Sequence, residues 1–284
     1  MSNRLLICTD LDRTLLPNGS QPESPGAREL FARLAARAEV QLAYVTGRHL
    51  ELLVDAIEHY RLPRPDYAIC DVGTSIYRHD PPGWLLQAEW VEKLAADWHQ
   101  LGGRELHRLL ADLEPLTLQE ESKQGRFKLS YYAPAEFDPR PLLDEIESRL
   151  GRNEIRANLV WSVDETGPTG LLDLLPQHSG KLAALEHLLL QSGLEADRVL
   201  FAGDSGNDLP VLVSKLPAVL VANATETVRV EARRLAELKG TGAQLYLARG
   251  GYRGLNGNYS AGILEGAVHY YPEVDAWLAE RSEA

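Results

Sequence analysis

The sequence has little cysteine, a deficit of positive charge and no long apolar run. Its two cysteines, Cys8 and Cys70, both lie in short apolar stretches, so we expect buried thiols and no disulfide framework. The 284 residues carry 29 Lys and Arg against 41 Asp and Glu, a formal charge of −12, which argues against nucleic acid as a partner. No run approaches the length of a signal-peptide core or a membrane span, so we expect a soluble, cytoplasmic protein with no membrane partner.

Several short apolar runs end in polar residues and alternate with segments of helical spacing. The runs are, in chain order, RLLICTD, VQLAYVTGR, DYAICDVG, RVLFAGDSGND and AVLVAN. Runs that become polar at their C-terminal end are typical of parallel strands buried on both faces. We expect Ser24 to cap the first helix, Ser179 to cap a later one, and Gly193 to end that later helix. The sequence therefore predicts an α/β fold with a doubly wound parallel sheet.

The pattern changes at about residue 81 and returns near residue 169. The intervening segment has a long helical region at 89–113, an alternating RFKLSYY, a helix at PLLDEIESRL and an alternating EIRANLVWSV. We predict an inserted α+β domain at residues 81–169 between two parts of the core, at 1–80 and 170–284. The strand-like LLDLL at residues 171–175 is assigned to the core.

Two acids follow the first predicted strand, with one residue between them. Asp10 and Asp12 lie where ligands bind in an open parallel sheet, beyond the carboxyl end of a strand. Carboxylates at this place suit Mg²⁺, which takes one or two of them together with water and substrate phosphate. A turn stabilised by an aspartate side chain explains the same fragment. The pair alone therefore leaves both interpretations open.

The stretch GDSGND follows the fourth apolar run and is the most informative fragment. Two glycines allow a tight turn, Asp204 and Asp208 supply hard oxygen ligands, and Asn207 and Ser205 can orient them. The stretch predicts a metal site at the ligand-binding edge of the sheet.

Residues suited to binding phosphate occur after the second run and at the start of a later helix. Thr46 and Gly47 offer a hydroxyl and an amide for phosphate oxygens, and Lys181 lies in the first turn of a helix, where anions are favoured. In isolation, VTGR is more often an ordinary turn, and a surface position is the default for any lysine. The glycine spacing matches neither a Walker loop nor a dinucleotide-binding fingerprint.

These fragments occur in the order and approximate spacing of the four motifs of haloacid dehalogenase-like phosphatases, which the chain resembles. The inserted domain resembles their large cap type. The resemblance implies that Asp10 is the nucleophile that takes the phosphoryl group and that Asp12 is the general acid and then the base. It also implies Mg²⁺ as cofactor, bound by Asp10, Asp204 and the backbone carbonyl of Asp12, with Asp208 close by. The phosphate-binding residues that it implies are Thr46, Gly47, Lys181 and Asn207.

Four further stretches are similar to sucrose-phosphate phosphatases and related sugar phosphatases. They are DVGTSIY, ESKQGRFKLSYY, LLDLLPQHSGK and NYSAGILEGAVHYY. The similarity implies a set of substrate-binding residues, namely Arg48, Thr74, Gln124, Lys128 and Ser130. A half-solvated strand has the same alternation as RFKLSYY, and in that interpretation Lys128 and Ser130 face water.

The resemblance implies a phosphoric monoester hydrolase whose small-molecule partner is a sugar phosphate. The leading expectation is sucrose 6-phosphate hydrolysis through an aspartyl phosphate. Mannosylfructose phosphate and monosaccharide phosphates are alternative substrates. Association with a sugar-phosphate synthase, as a non-catalytic module, is an alternative of another class. It is disfavoured because a degenerate module would lose a nucleophile or metal ligand, and this chain retains all of them.

Overall fold

A computed structural model describes residues 4–134, 136, 138–163 and 169–280 of the chain. Residues 164–168, just before the predicted end of the inserted segment at residue 169, lie outside these residues. The strands are β1 Leu5–Thr9, β2 Val40–Val45, β3 Tyr67–Cys70, β4 Ser75–Asp80, β5 Gly83–Leu86, β6 Thr117–Leu118, β7 Leu129–Pro134, β8 Ala157–Val163, β9 Thr169–Pro176, β10 Val199–Gly203, β11 Ala218–Leu220 and β12 Leu245–Leu247. The α-helices are α1 Ala27–Ala35, α2 Leu50–Tyr60, α3 Ala88–Ala95, α4 Gly103–Leu110, α5 Arg140–Arg152, α6 Lys181–Ser192, α7 Leu209–Leu212, α8 Glu226–Lys239, α9 Ser260–Tyr270 and α10 Glu273–Ala279.

The larger sheet has eight strands in the order β12-β11-β10-β1-β2-β3-β4-β5. Its first six strands are parallel, and β4 and β5 extend it as an antiparallel hairpin. Strands β1 and β10 are buried at every residue, because helices cover both faces of the sheet. The predicted doubly wound α/β core is therefore confirmed. Cys8 and Cys70 are free and buried, as expected.

The smaller sheet is antiparallel, has the order β6-β7-β9-β8, and packs against α4 and α5. The assignment of residues 171–175 to the core is wrong, because β9 pairs along its length with β7 and β8. Strand β5, inside the predicted insert, belongs instead to the larger sheet. The division at residues 1–80, 81–169 and 170–284 stays a prediction, and the change of sheet falls after Leu86 and after Pro176.

The single long helix expected at residues 89–113 is two helices. Helix α3 ends at Ala95 and α4 begins at Gly103. Between them the backbone is left-handed at His99, with φ 49°, and at Gln100, with φ 68°, which an α-helix does not accommodate. In the sequence, the spacing of apolar residues continues across this break. Periodicity alone therefore predicts one helix where the structure has two.

Both predicted serine caps are wrong, whereas the predicted stop is confirmed. Helix α1 has Gly26 and α6 has Gly180 before its first residue, both with positive φ. The hydroxyl of Ser24 accepts a backbone N–H from a distant loop, and that of Ser179 donates to the carbonyl of the preceding turn. Gly193 ends α6 with φ 65°. None of the described helices has the length and apolar character needed to cross a bilayer.

Candidate active site

Four adjacent parallel strands deliver polar residues to one edge of the larger sheet. Asp10 follows β1, Thr46 follows β2, Asp71 follows β3 and Asp204 follows β10. Lys181, the first residue of α6, reaches the same edge. Because the carboxyl ends of parallel strands lie side by side, residues far apart in sequence are brought together here.

Three buried carboxylates form a cluster at this edge. Oxygen atoms of Asp10, Asp204 and Asp208 all lie within 4.8 Å of one another. Burial, together with the charges of the neighbouring carboxylates, raises the pKa of Asp10 to about 8 and that of Asp204 to about 7. Converging hard oxygen atoms whose mutual repulsion needs a cation fit Mg²⁺, which coordinates carboxylate oxygen in preference to softer ligands.

Lys181 joins the cluster to the phosphate-binding candidates. Its Nζ lies 3.0 Å from Asp10 Oδ1, 2.7 Å from Asp208 Oδ1 and 3.0 Å from Asn207 Oδ1. Burial disfavours the charged ammonium, yet the charges of Asp10 and Asp208 hold the pKa of Lys181 above its ordinary value. Asn207 is exposed, and in the described part of the chain its Nδ2 has no hydrogen-bond partner, so this donor is free for a phosphate oxygen.

The turn GDSGND holds Asp208 by backbone donors. A 3₁₀ turn at Gly206–Asp208 follows β10, and Asp208 Oδ2 accepts the N–H groups of Asp204 at 3.1 Å and Ser205 at 3.2 Å. A Cβ atom at Gly203 would lie 2.6 Å from Asp208 Cγ, so the carboxylate can fold back against the strand only because residue 203 is glycine. Local sequence thus fixes the direction of this acid.

Asp12 is turned away from the cluster toward Arg48. Arg48 Nη2 lies 2.6 Å from Asp12 Oδ1 and its Nε 2.8 Å from Oδ2, and Asn18 Nδ2 donates to Oδ1 at 2.7 Å. Burial works against ionisation, but Arg48 and Asn18 hold the pKa of Asp12 below its ordinary value. The two acids of DLDRT therefore have opposite environments. The carboxylate of Asp12 is outside the cluster, and its backbone carbonyl remains the predicted metal ligand.

Thr46 and the segment after β3 also lie at this edge of the larger sheet. Thr46 is fully buried and its Oγ1 accepts the Arg48 N–H at 3.1 Å, which leaves the hydroxyl proton available to a ligand. Thr74, a predicted substrate-binding residue, donates its hydroxyl to Asp71 O at 3.1 Å. Gly73 presses so closely on the Gly180 backbone that a Cβ atom there would lie 2.4 Å from it.

The predicted cap residues differ in their availability. Gln124 Nε2 donates to Ser130 O at 2.9 Å, and its Oε1 accepts the Ser130 N–H at 2.9 Å. The Ser130 hydroxyl donates to Asp173 within the smaller sheet. Lys128 is buried, its charge acts on Asp71, and its ammonium has no hydrogen-bond partner among the residues described. The charge of Lys128 thus reaches a residue of the sheet edge, whereas the hydrogen bonds of Gln124 and Ser130 stay within their own part of the chain.

A cavity of about 550 Å³ lies between the N-terminus of α4 and the smaller sheet. Gln124 and Lys128 line it together with Arg104, Arg108 and Arg126, and none of the clustered carboxylates does so. It is therefore separate from the metal-ligand candidates.

Two residues that contact the site carried no functional assignment from the sequence. Thr14 is fully buried and donates its hydroxyl to Asp204 Oδ1 at 3.0 Å, while Asn18 supports Asp12. Thr14 closes the DLDRT fragment, so its position was a usable signal. Asn18 lies six residues after Asp12, in a loop without any recognisable motif.

Comparison with known proteins agrees with this geometry. A family model described as sucrose-6F-phosphate phosphohydrolase matches residues 3–271. The chain is 50% identical to a putative HAD-like hydrolase of Nitrosococcus oceani, over 98% of this chain and 75% of that one. It is 31% identical to a glucosylglycerol-phosphate synthase of Pseudomonas anguilliseptica, over 94% of this chain but 31% of the synthase.

The fold is similar to the crystal structure of the sucrose-phosphatase from Synechocystis sp. PCC6803 in complex with sucrose and phosphate. The TM-score is 0.72 and the identity 25%, covering 94% of this chain and 98% of that one. The chain is thus a phosphoric monoester hydrolase with a haloacid dehalogenase-like fold, and it belongs to the sucrose-6F-phosphate phosphohydrolase family.

Proposed function

We propose that this sugar-phosphate phosphatase depends on Mg²⁺ and hydrolyses sucrose 6-phosphate to sucrose and phosphate. The observation that carries the proposal is the buried cluster of Asp10, Asp204 and Asp208 with Lys181 between two of its members. The family match and the similarity to a structure holding sucrose and phosphate support the choice of substrate.

Asp10 acts as the nucleophile in this proposal. Its carboxylate attacks the phosphorus atom, the bond to the sugar oxygen breaks, and an aspartyl phosphate forms on Asp10. Lys181, 3.0 Å from Asp10 Oδ1, offsets negative charge where the phosphoryl group arrives. The hydroxyl of Thr46, the amide of Gly47 and the free Nδ2 of Asn207 bind its oxygen atoms.

Asp12 transfers the protons. Paired with Arg48 it is ionised, which suits the second step, in which it accepts a proton from the water that attacks the aspartyl phosphate. In the first step it must donate a proton to the leaving sugar oxygen, so the pair with Arg48 opens when substrate binds. Arg48 is then free to contact the substrate, as its predicted role requires.

The metal-ligand candidates are Asp10, Asp204 and the backbone carbonyl of Asp12, with Asp208 fixed beside them by Lys181. Bound Mg²⁺ would offset the repulsion between the Asp10 carboxylate and the anionic ester. Thr14 and the backbone of the GDSGND turn hold the carboxylates in place before the substrate arrives.

The sugar contacts the cap and the loop after β3. Lys128 is the cap residue best placed for this, because the residue is largely buried and its ammonium has no hydrogen-bond partner in the part of the chain that is described. The side-chain amide of Gln124 hydrogen-bonds to the backbone of Ser130 and so stabilises this part of the cap. The Thr74 hydroxyl stabilises the loop after β3 by donating to Asp71 O.

The test is phosphate release from a panel of esters, with and without Mg²⁺. The panel is sucrose 6-phosphate, glucose 6-phosphate, fructose 6-phosphate, mannosylfructose phosphate, glucosylglycerol phosphate and p-nitrophenyl phosphate. We expect the highest kcat/KM for sucrose 6-phosphate, no turnover after chelation, and none in Asp10→Asn. Equal kcat/KM across the panel would contradict the substrate, and turnover by Asp10→Asn would remove Asp10 from the nucleophile role.

Glucosylglycerol phosphate is a second candidate substrate. A relative named for synthesis of this compound contains a region 31% identical to 94% of this chain. That relation also supports association of this chain with a sugar-phosphate synthase. A kcat/KM for glucosylglycerol phosphate above that for sucrose 6-phosphate would select this candidate.

A further inference from the structure

We propose that Asp71 determines specificity for the sugar part of the substrate, with its carboxylate accepting hydrogen bonds from sugar hydroxyl groups. The inference rests on the proposed function and deepens it. Asp71 is the first polar residue after strand β3 in the run DYAICDVG, and the phosphate chemistry described above gives it no role.

Asp71 lies between the two segments that bind phosphate. Its N–H donates to Arg48 O at 2.9 Å, and the next N–H, of Val72, donates to Thr46 O at 3.1 Å. On the other side, Gly73 packs on Gly180, which precedes Lys181. Asp71 therefore lies at the same sheet edge as the nucleophile but is not a member of the carboxylate cluster.

The backbone at this point is strained. Asp71, Val72 and Gly73 have φ values of 51°, 58° and 92°, and Val72 is a β-branched residue that rarely adopts the left-handed region. Backbone strain of this kind persists where surrounding structure enforces it, and it concentrates at ligand-binding positions. The charge of Lys128, the residue before β7 of the smaller sheet, acts on the Asp71 carboxylate, so the strained turn lies within electrostatic reach of that sheet.

The Asp71 carboxylate is half-buried and has no hydrogen-bond donor within the described residues. Burial raises its pKa to about 6, against the opposing charges of Lys128 and His49. Asp66, just before the same strand, shows the contrast, since its Oδ2 accepts the Leu42 N–H at 2.8 Å. A partly desolvated acceptor without a donor gains more from a ligand's hydroxyl group than a solvated one does.

The chemistry of a carboxylate limits which part of the substrate it contacts. Near neutral pH an ionised Asp71 repels the phosphate group but accepts hydroxyl protons readily. Lys128, whose charge acts on Asp71, offers donors only, so the two together match a group that both donates and accepts, as a sugar hydroxyl does. An ester without hydroxyl groups leaves the carboxylate unpaired, which is how a polar site rejects an analogue that lacks the expected group.

The test uses Asp71→Asn and Asp71→Gly, because both residues accept the left-handed backbone. Steady-state constants are measured for the best sugar phosphate of the panel above and for p-nitrophenyl phosphate. We expect kcat/KM for the sugar phosphate to fall at least about tenfold in Asp71→Gly and less in Asp71→Asn, mainly through KM. For p-nitrophenyl phosphate the change should stay within about twofold.

Glu51→Gln is the matched control, because Glu51 is a nearby carboxylate whose side chain is 90% exposed. It should leave both substrates unchanged. Equal losses on the two substrates in the Asp71 variants, or no loss on either, would overturn the inference while leaving the proposed function intact. A wild-type protein with no preference for any sugar phosphate over p-nitrophenyl phosphate would instead overturn the proposed function, and this inference with it.

Discussion

Replacing Lys181 with methionine tests whether its ammonium holds the carboxylate cluster together. The Nζ lies 3.0 Å from Asp10 Oδ1 and 2.7 Å from Asp208 Oδ1, and the residue is buried. Methionine keeps much of the apolar stem and removes the charge. Loss of one partner from a buried ion pair costs about 3–5 kcal/mol, and uptake of a proton by Asp10 offsets part of this. We therefore expect the free energy of unfolding to fall by about 3 kcal/mol at neutral pH.

Urea unfolding without Mg²⁺, followed by tryptophan fluorescence, measures this loss. Lys215→Met is the matched control, because Lys215 is exposed and its loss should change the free energy of unfolding by less than about 0.5 kcal/mol. Phosphate release by Lys181→Met should fall at least about a hundredfold, because the charged donor that we propose for the reacting phosphoryl group is lost. A stability loss below about 1 kcal/mol would refute the reasoning, since it would mean that the two carboxylates do not depend on the ammonium.

Three further predictions each concern one side chain. Thr14→Val removes the donor to Asp204 Oδ1, so the Mg²⁺ concentration for half-maximal activity should rise about tenfold, and an unchanged Mg²⁺ titration would contradict this. Lys128→Ala should raise KM for a sugar phosphate far more than for p-nitrophenyl phosphate. Equal effects on the two KM values would mean that Lys128 faces water and does not contact the sugar. The pKa of Asp71 is raised from 3.8 to about 6 in the folded protein, so the folded state binds this proton more tightly than the unfolded chain does. The stabilisation that the bound proton gives is complete below pH of about 3.8 and is lost as pH rises through about 6. Asp71→Asn should therefore gain about 2 kcal/mol in the free energy of unfolding relative to wild type between pH of about 4 and 7.5, measured with urea, and parallel pH profiles would contradict the raised pKa.

The core strands could be predicted because buried parallel strands leave a strong local signature. A run such as RVLFAGDSGND is apolar until it reaches the edge of the sheet. The first polar residues after the apolar part, Asp204 among them, can therefore be predicted to lie at that edge. Strand β9 has an equally apolar run, LLDLL, but its sheet is decided by pairing with β7 and β8. Such pairing joins residues that are far apart in the sequence, so the residue pattern of one strand does not predict which strands it pairs with. The break between α3 and α4 was missed because the helical period continues on both sides of the left-handed residues.

The candidate site divides in a similar way. Residue types and order nominated Asp10, Asp12 and Lys181, but only the fold brings Lys181 to Asp10 across 171 positions of sequence and turns Asp12 toward Arg48. In the cap, alternation indicates which residues share a face of a strand and says nothing about which donors and acceptors are already engaged. Gln124 illustrates this, since its amide hydrogen-bonds along the backbone of its own domain.

The placement of β1 between β2 and β10 has a consequence for synthesis of the chain on the ribosome. Strand β10 begins at Val199, so β1 and β2 emerge long before the second neighbour of β1 exists. Until then β1, which is buried at every residue in the folded protein, has an open edge, and Asp10 has no Lys181 beside it. The nascent chain therefore has an unpaired strand edge and an unpaired Asp10 until Val199 and the residues after it are translated, and we expect it to depend most on chaperones during this interval.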